Sequence, residues 1–319
     1  MTCPTCKSPA KKFGKDRKGN QRFRCLSCAI TFQAPKVKAL DNMSLDEGKA
    51  LAVISCLIEG CSVRSTERLT NVDQNTILRL LTIVGRKCEA LMLDRIQGVK
   101  ISDCQCDEVW SWIGMKNKTK IRKGETSDEI GDAWTFTCID SDSKLILAWH
   151  VGHRTFEDTL AFTDKIAYAT SGSFQISTDG FPAYRDAVWT SLGARRVSFA
   201  QLIKIYRSSV MDDTRYSPAE CTGARKEVIM GNPDMDKVNT SYIERHNLSV
   251  RMGNRRFTRL TNAFSKKWEN HRAALALYLC YYNFCRQHKT LKGSTPAMAA
   301  GIVKHLWSVK DMLHAAAKF

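Results

Sequence analysis

The sequence predicts a mixed α/β protein preceded by two small N-terminal modules, and three observations carry that expectation. Two C-x2-C pairs stand within the first 28 residues. Residues 44–96 place apolar side chains at helical spacing. From Ile101 onward, short segments rich in β-branched and aromatic residues alternate with amphipathic helical ones, the texture of a mixed sheet with helices against it. At 319 residues and 43% hydrophobic content the chain is long and apolar enough for one large domain with one or two small ones.

The net charge of +17 suits a polyanion, either nucleic acid or an anionic membrane. The opening "MTCPTCKSPAKKFGK" has no apolar signal-peptide core, and no apolar run approaches the ~18 residues needed to span a bilayer. The expected partner is therefore nucleic acid in the cytosol, without membrane association. Thirteen cysteines divide unevenly: four form the two N-terminal pairs, and nine are scattered among apolar neighbours, as in "LAVISCLIEGC". In a reducing compartment the scattered ones read as small buried hydrophobes.

In order along the chain, residues 1–36 form the first module. Cys3, Cys6, Cys25 and Cys28 give C-x2-C, eighteen residues, C-x2-C, the spacing of a zinc ribbon with a β-hairpin between its knuckles. The intervening "KSPAKKFGKDRKGNQRFR" holds eight basic residues against one acid, Asp16, so the ribbon is expected to touch phosphate or to orient the next module, with protein contact as the alternative. Residues 40–96 form the second module. Ser44 and Glu47 make a capping box for a first helix carrying Leu51, Ile54, Leu57 and Ile58, which Gly60 ends. "SVRSTERLT" is a short second helix, "NVDQ" a turn, and "NTILRLLTIVGRKCEALML" a third helix with Ile77, Leu80, Leu81 and Val84 on one stripe. This is the order of a helix-turn-helix, whose last helix would present Gln74, Asn75 and Arg79 to DNA. An ordinary three-helix packing unit has the same pattern.

Residues 100–300 carry the α/β part, with a helical tail at 301–319. "CDEVWSWIG", "AWTFTCID" and "KLILAWHVG" read as three successive strands, "TFEDTLAFTDKIAYAT" as a helix and "SFQISTDG" as a fourth strand. "FPAYRDAVW" then opens a helix with Pro182 in its first turn. Three antiparallel strands, a crossover helix and a further strand is the order of the ribonuclease H-like fold, which presents acids on the first strand, after the fourth, and on a later helix. Here these are Asp107, Asp179 and Glu244, each more than sixty residues from the next, so only folding can unite them. Carboxylates of that kind hold magnesium or manganese for phosphoryl transfer. Asp103, Glu108 and Asp140 compete for the first position, and spacing does not choose among them. Taken singly, an Asp in "STDG" is more often a turn residue, and a Glu on a basic helix an ion-pair partner.

Glu244 stands out because eight arginines and lysines, against the single acid Glu269, follow it between Arg245 and Arg272. Asn247 and Arg251 fall on its helix face; with Arg255 and Arg256 they are the expected phosphate contacts. The segment 206–237 is polar and poorly periodic; it reads equally as an active-site loop, an end-binding loop or a solvated insertion.

"DEVWSWIG", "STDGFPAY" and "YIERHNLSVR" resemble the three catalytic blocks of DDE-type insertion-sequence transposases. The likeness is strongest to the family founded by insertion sequence one, and "YYNFCRQHKTLKGSTPAMAAGI" resembles the closing block of many such enzymes. The resemblance spans essentially the whole chain. It implies Asp107, Asp179 and Glu244 as the catalytic triad, with Arg251 as the basic residue seven after the glutamate. It further implies binding of the element's terminal inverted repeats, then metal-dependent strand cleavage and strand transfer, by a homo-oligomer on double-stranded DNA near a prokaryotic nucleoid. The alternatives are a domesticated nuclease or recombinase using the same acids, and a non-catalytic DNA-binding regulator.

Overall fold

Three short antiparallel strands open the chain: Ala10–Lys15 (β1), Gln21–Cys25 (β2) and Thr31–Gln33 (β3). This computed structural model describes residues 1–17, 19, 21–33, 39–207, 220–258 and 261–319. Three helices follow, Glu47–Ile58 (α1), Val63–Thr70 (α2) and Gln74–Arg95 (α3). The capping box expected at Ser44 and Glu47 does not form. Asp46 caps α1, its carboxylate accepting the Lys49 N–H at 3.1 Å, and Glu47 is the first helical residue. Asp equals Ser as a cap and adds a charge that favours the helix N-terminus, so it wins the position. Glu47 instead meets Lys310 and His314.

The rest is mixed α/β. Val99–Lys100 (β4) leads into the long strand Asp103–Ile113 (β5), followed by Asn117–Arg122 (α4), Gly131–Asp140 (β6), Ile146–Gly152 (β7) and Phe156–Ala169 (α5). Then come Thr170–Ser171 (β8), Phe174–Thr178 (β9), Ala183–Ser191 (α6), Val197–Arg207 (β10) and Glu220–Met230 (β11). Ser241–Gly253 (α7), Trp268–Phe284 (α8), Pro296–Ala299 (α9) and Val309–Ala316 (α10) complete the described elements, with two short 3-10 turns between them. Among the described residues no helix is long and apolar enough to cross a membrane.

Six strands form one sheet in the order β11-β10-β9-β5-β6-β7, and β4 pairs with β8 apart from it. β5, β6 and β7 run antiparallel, β9 and β10 lie parallel to β5, and β11 returns antiparallel on β10. β5 is central and covered on both faces, which is why "DCQCDEVW" reads as nearly continuous burial rather than alternation. Its even-numbered side chains face α5 and α6, where Phe136 packs against Phe162 at a tilt and Phe162 meets Tyr184 edge to face. Its odd-numbered side chains face α7. Of the unassigned segment 206–237, the first two residues end β10 and Glu220–Met230 forms β11, while residues 208–219 lie outside the described part.

The helical trio does not stand apart from the sheet. α3 lies along α8, and Gly85 lets the two backbones meet: a Cβ there would fall 2.5 Å from the Ala273 carbonyl oxygen. Arg272 of α8 grips Glu89 of α3, while α10 packs on α1 and α3. One continuous apolar cluster runs from Leu40 through Ile77, Leu91 and Phe136 to Leu313.

Candidate active site

β5 and β9 pair only as far as Cys106 opposite Thr178. There β9 stops and the chain turns away through Asp179, Gly180 and Phe181, leaving a gap beside the next two residues of β5. Asp107 and Glu108 face opposite sides of the sheet, but at this gap both carboxylates reach Asp179, and oxygens from the three residues lie within 4.8 Å of one another. The gap opens into a cleft of about 490 Å³ lined by Asp107, Arg154, Asp179, Phe181, Lys204 and Glu244 among others.

Glu244 enters this cleft from the first turn of α7. Its Oε1 accepts the Thr240 hydroxyl at 2.5 Å and pairs with the Lys204 ammonium of β10. One turn on, Asn247 donates Nδ2 to Asp107 at 2.7 Å. The helix has no side-chain cap of its own at Thr240. The cap comes from β5: Gln105 accepts the N–H groups of Tyr242 and Ile243 at 2.9 and 3.2 Å and donates to Asn239 at 2.7 Å. Strand and helix are thereby held in register by a residue two before Asp107.

Arg154 supplies the other cation. Its Nη2 lies 3.1 Å from Glu108 and 3.8 Å from Asp179, with the guanidinium over the rings of Trp134 and Phe181 at 4.8 and 4.1 Å. Glu108 is almost fully buried, and its second oxygen, Oε1, has no hydrogen-bond partner; the Tyr184 hydroxyl approaches without completing a bond of good geometry. Burial, then the charge of Asp179, pushes Glu108 up to about 8, and the same two causes raise Asp107 to about 7. Carboxylates held this way are short of positive charge. The donor set is all oxygen, with a buried lone pair unspent, which fits a hard divalent cation.

Two of the three competing acids serve other ends. Asp103 accepts the Ser141 hydroxyl, and Asp140 accepts the Ser143 N–H at 2.8 Å, so both tie down the β6–β7 turn. Glu227, on the edge strand β11, pairs with Arg185 and Arg225 at 3.0 and 3.3 Å. Of the residues expected at phosphate, Asn75 and Arg79 are exposed at the start of α3, while Gln74 donates to Glu67 at 2.6 Å. Asn247 is buried and its Nδ2 is engaged by Asp107. Arg251 is partly buried on α7, Arg255 is exposed, and Arg256 turns inward to Ser265 at 3.0 Å. Sequence reading passed over Gln105, Arg154 and Lys204, and treated Glu108 only as a competitor for one position. The "DE" doublet was the available signal for Glu108. Nothing local marks Gln105, Arg154 or Lys204.

The four N-terminal cysteines also come together. Their sulfurs lie within 4.8 Å of one another, with separations of 3.6 Å for Cys3–Cys28, 3.3 Å for Cys6–Cys25 and 3.5 Å for Cys6–Cys28. Four sulfurs ~2.3 Å from one tetrahedral ion would stand a little under 4 Å apart, so the set fits zinc. Backbone N–H groups of Ser27 and Cys28 point at the Cys25 sulfur, and hydrogen bonds from Ser8 hold the Cys6 thiol down to about 6. Lys7 and Ala29, each just after its knuckle, take left-handed backbone conformations that close the two turns.

No protein-family model matches the chain. Among solved structures it is similar to endonuclease V from Bacillus subtilis at 12% identity, over 65% of this chain and 92% of that one, with a TM-score of 0.22. A likeness that loose carries no argument about fold or activity.

Proposed function

We propose that the chain is a DDE-type transposase with a ribonuclease H-like catalytic domain, a zinc ribbon and a helix-turn-helix, acting as an oligomer on the ends of its own DNA element. One observation carries this reading: Asp107, Asp179 and Glu244, far apart in sequence, line a single cleft. The strand order, with the first acid mid-strand on β5 and the second just past β9, supports the same fold. Asp107, Glu108, Asp179 and Glu244 are the groups that would hold magnesium or manganese. Bound divalent ions would supply Lewis-acid activation of the attacking oxygen and stabilise the leaving one. The chain's own part is to hold the phosphodiester: Arg154 and Lys204 flank the acids and orient its oxygens, Asn247 fixes the Asp107 carboxylate, and Phe181 with Trp134 keeps Arg154 in place. Hydrolysis of one phosphodiester by water frees a 3′ hydroxyl, which then attacks a target phosphodiester in the same cleft, forming the new ester as the target strand's own 3′ oxygen leaves.

The test uses duplexes carrying the sequences that flank the coding frame, with magnesium or manganese. Asp107→Asn, Asp179→Asn and Glu244→Gln are expected to lower cleavage and joining by about a thousandfold or more while keeping end binding, and calcium to permit binding without chemistry. Cleavage by Glu244→Gln near the wild-type rate sinks the assignment. A wild-type protein that binds ends and cuts nothing is the regulator instead.

A further inference from the structure

The face of β5 that carries Glu108 changes character along its length. Cys104, Cys106 and Glu108 are buried beneath α5 and α6, whereas Trp110 and Trp112, the next two residues on the same face, are partly exposed. Trp134 stands directly across from Trp110 on β6. The rings of Trp110 and Trp112 are 5.1 Å apart, and Phe264 lies 5.6 Å from Trp112. The Lys116 ammonium sits over both indoles, 5.2 and 4.8 Å from their centres. At the other end of the row, Arg154 covers Trp134 and reaches the acids. Trp110, Trp112 and Phe264 are not part of the continuous apolar cluster that holds the fold together.

The row is held firm from behind. Ser265 bridges to Ile113 and its carbonyl accepts the Gly114 N–H at 2.8 Å, which seats Phe264 beside Trp112. On the opposite face, buried His271 joins Ser111 at 3.2 Å to Ser265 at 2.9 Å. A row of aromatic rings with Lys116 over its middle and Arg154 at the end nearest the acids, starting at a phosphate-directed cleft, matches one ligand chemistry: unpaired nucleobases on a polyanionic strand. Bases stack on the rings, and the cations meet the backbone.

We propose that Trp110, Trp112, Trp134 and Phe264, with Lys116 and Arg154, form a stacking platform for unpaired nucleotides of the strand whose phosphodiester lies at the acids. This rests on the nucleic-acid reading of the cleft, but its test does not require chemistry. Binding of a fluorescent single-stranded oligo-deoxythymidine and of a blunt duplex of equal length is measured by anisotropy without added magnesium or manganese. Trp112→Ala is expected to weaken the single strand by about five- to a hundredfold, the range for loss of one stacked base, and the duplex by less than twofold. Trp112→Phe should restore most of the loss, and Lys116→Ala, on an exposed residue, should weaken the single strand without altering the thermal transition. If Trp112→Ala proves unfolded, the Phe and Lys116 variants alone decide. Equal losses on both DNAs, or none, overturn the platform. So does a wild-type dimer that Lys116→Ala turns into monomer with single-strand binding intact, which would make the row a protein interface. Platform-dependent binding by a protein that never cleaves would leave this inference standing and remove the transposase.

Discussion

Replacing Glu108 with Gln should make the metal-free protein more stable, and the gain should depend on pH. Burial lifts this carboxyl from 4.5 to about 8, so the folded chain keeps a proton that the unfolded chain releases. Stability therefore falls as pH rises from about 4.5 to about 8, and levels off above. Three to four pH units at ~1.4 kcal/mol each set an upper limit of about 5 kcal/mol on the cost. Relaxation and water entry reduce this; about 2 kcal/mol is the working figure, or a rise of about 3 °C in melting temperature for a chain of this size. Against it stands the loss of the Arg154 partner. That guanidinium is about one-third exposed, still lies over two rings and still faces Asp179, so the loss is about 1 kcal/mol or less. Burial outweighs pairing. Thermal melts in chelator at pH 5, 6.5 and 8 check this: the gain of Glu108→Gln over wild type should grow across the series. Magnesium or manganese at pH 8 should stabilise wild type more than the variant. A variant that melts lower at pH 8, or a difference that ignores pH, refutes the reasoning.

Three further outcomes are expected. Purified protein should carry about one zinc per chain by elemental analysis, lost in Cys25→Ser or Cys28→Ser; the main thermal transition should persist, because among the described residues none before Ala39 belongs to the apolar cluster or packs on it. Gly85→Ala should lower the melting temperature of the whole protein in one transition, by the ~1–3 kcal/mol of an overpacked contact, since its Cβ would meet the Ala273 backbone at 2.5–2.6 Å; a separate early melt of the helical trio would contradict the shared core. Gln105→Leu should cut end cleavage at least tenfold while end binding holds, because α7 loses the acceptor for two N–H groups and Glu244 loses its register; unchanged cleavage would reduce Gln105 to a core residue.

How much of this was legible in the sequence follows the range of each signal. Cysteine pairing and runs of β-branched and aromatic residues are local, so the four-sulfur cluster and β5, β6, β7 and β9 could be read directly. The third helix was harder. Ile77, Leu80, Leu81 and Val84 announced one stripe, which Cys88 and Leu91 extend, but Gly85 and Met92 at one edge and Lys87 at the other are buried too: α8, from nearly two hundred residues later, closes over Gly85, and Lys87 pairs with Asp41. β11 was invisible for the opposite reason: "ECTGARKEVIM" is an edge strand with charges along it, so it lacks the apolar period that reveals buried strands. Glu108 escaped because alternation puts it on the wrong face. Only the early end of β9 lets both faces of β5 meet one neighbour.

That geometry also accounts for a glutamate inside a basic segment. Glu244 pairs with Lys204, from a different element. Four carboxylates, Asp107, Glu108, Asp179 and Glu244, thus face two cations, Arg154 and Lys204. Fully ionised, the cluster is left with two negative charges, the charge of one divalent ion. Without such an ion the nearest remedy is a proton, and the two acids with raised values, Asp107 and Glu108, are the two that would take it. A second divalent ion would overshoot by two charges, which a phosphodiester and an ionised attacking oxygen would supply. The charge count in the cleft therefore favours one ion before DNA and two with it. Magnesium affinity should rise when DNA is bound and fall as pH drops through 7.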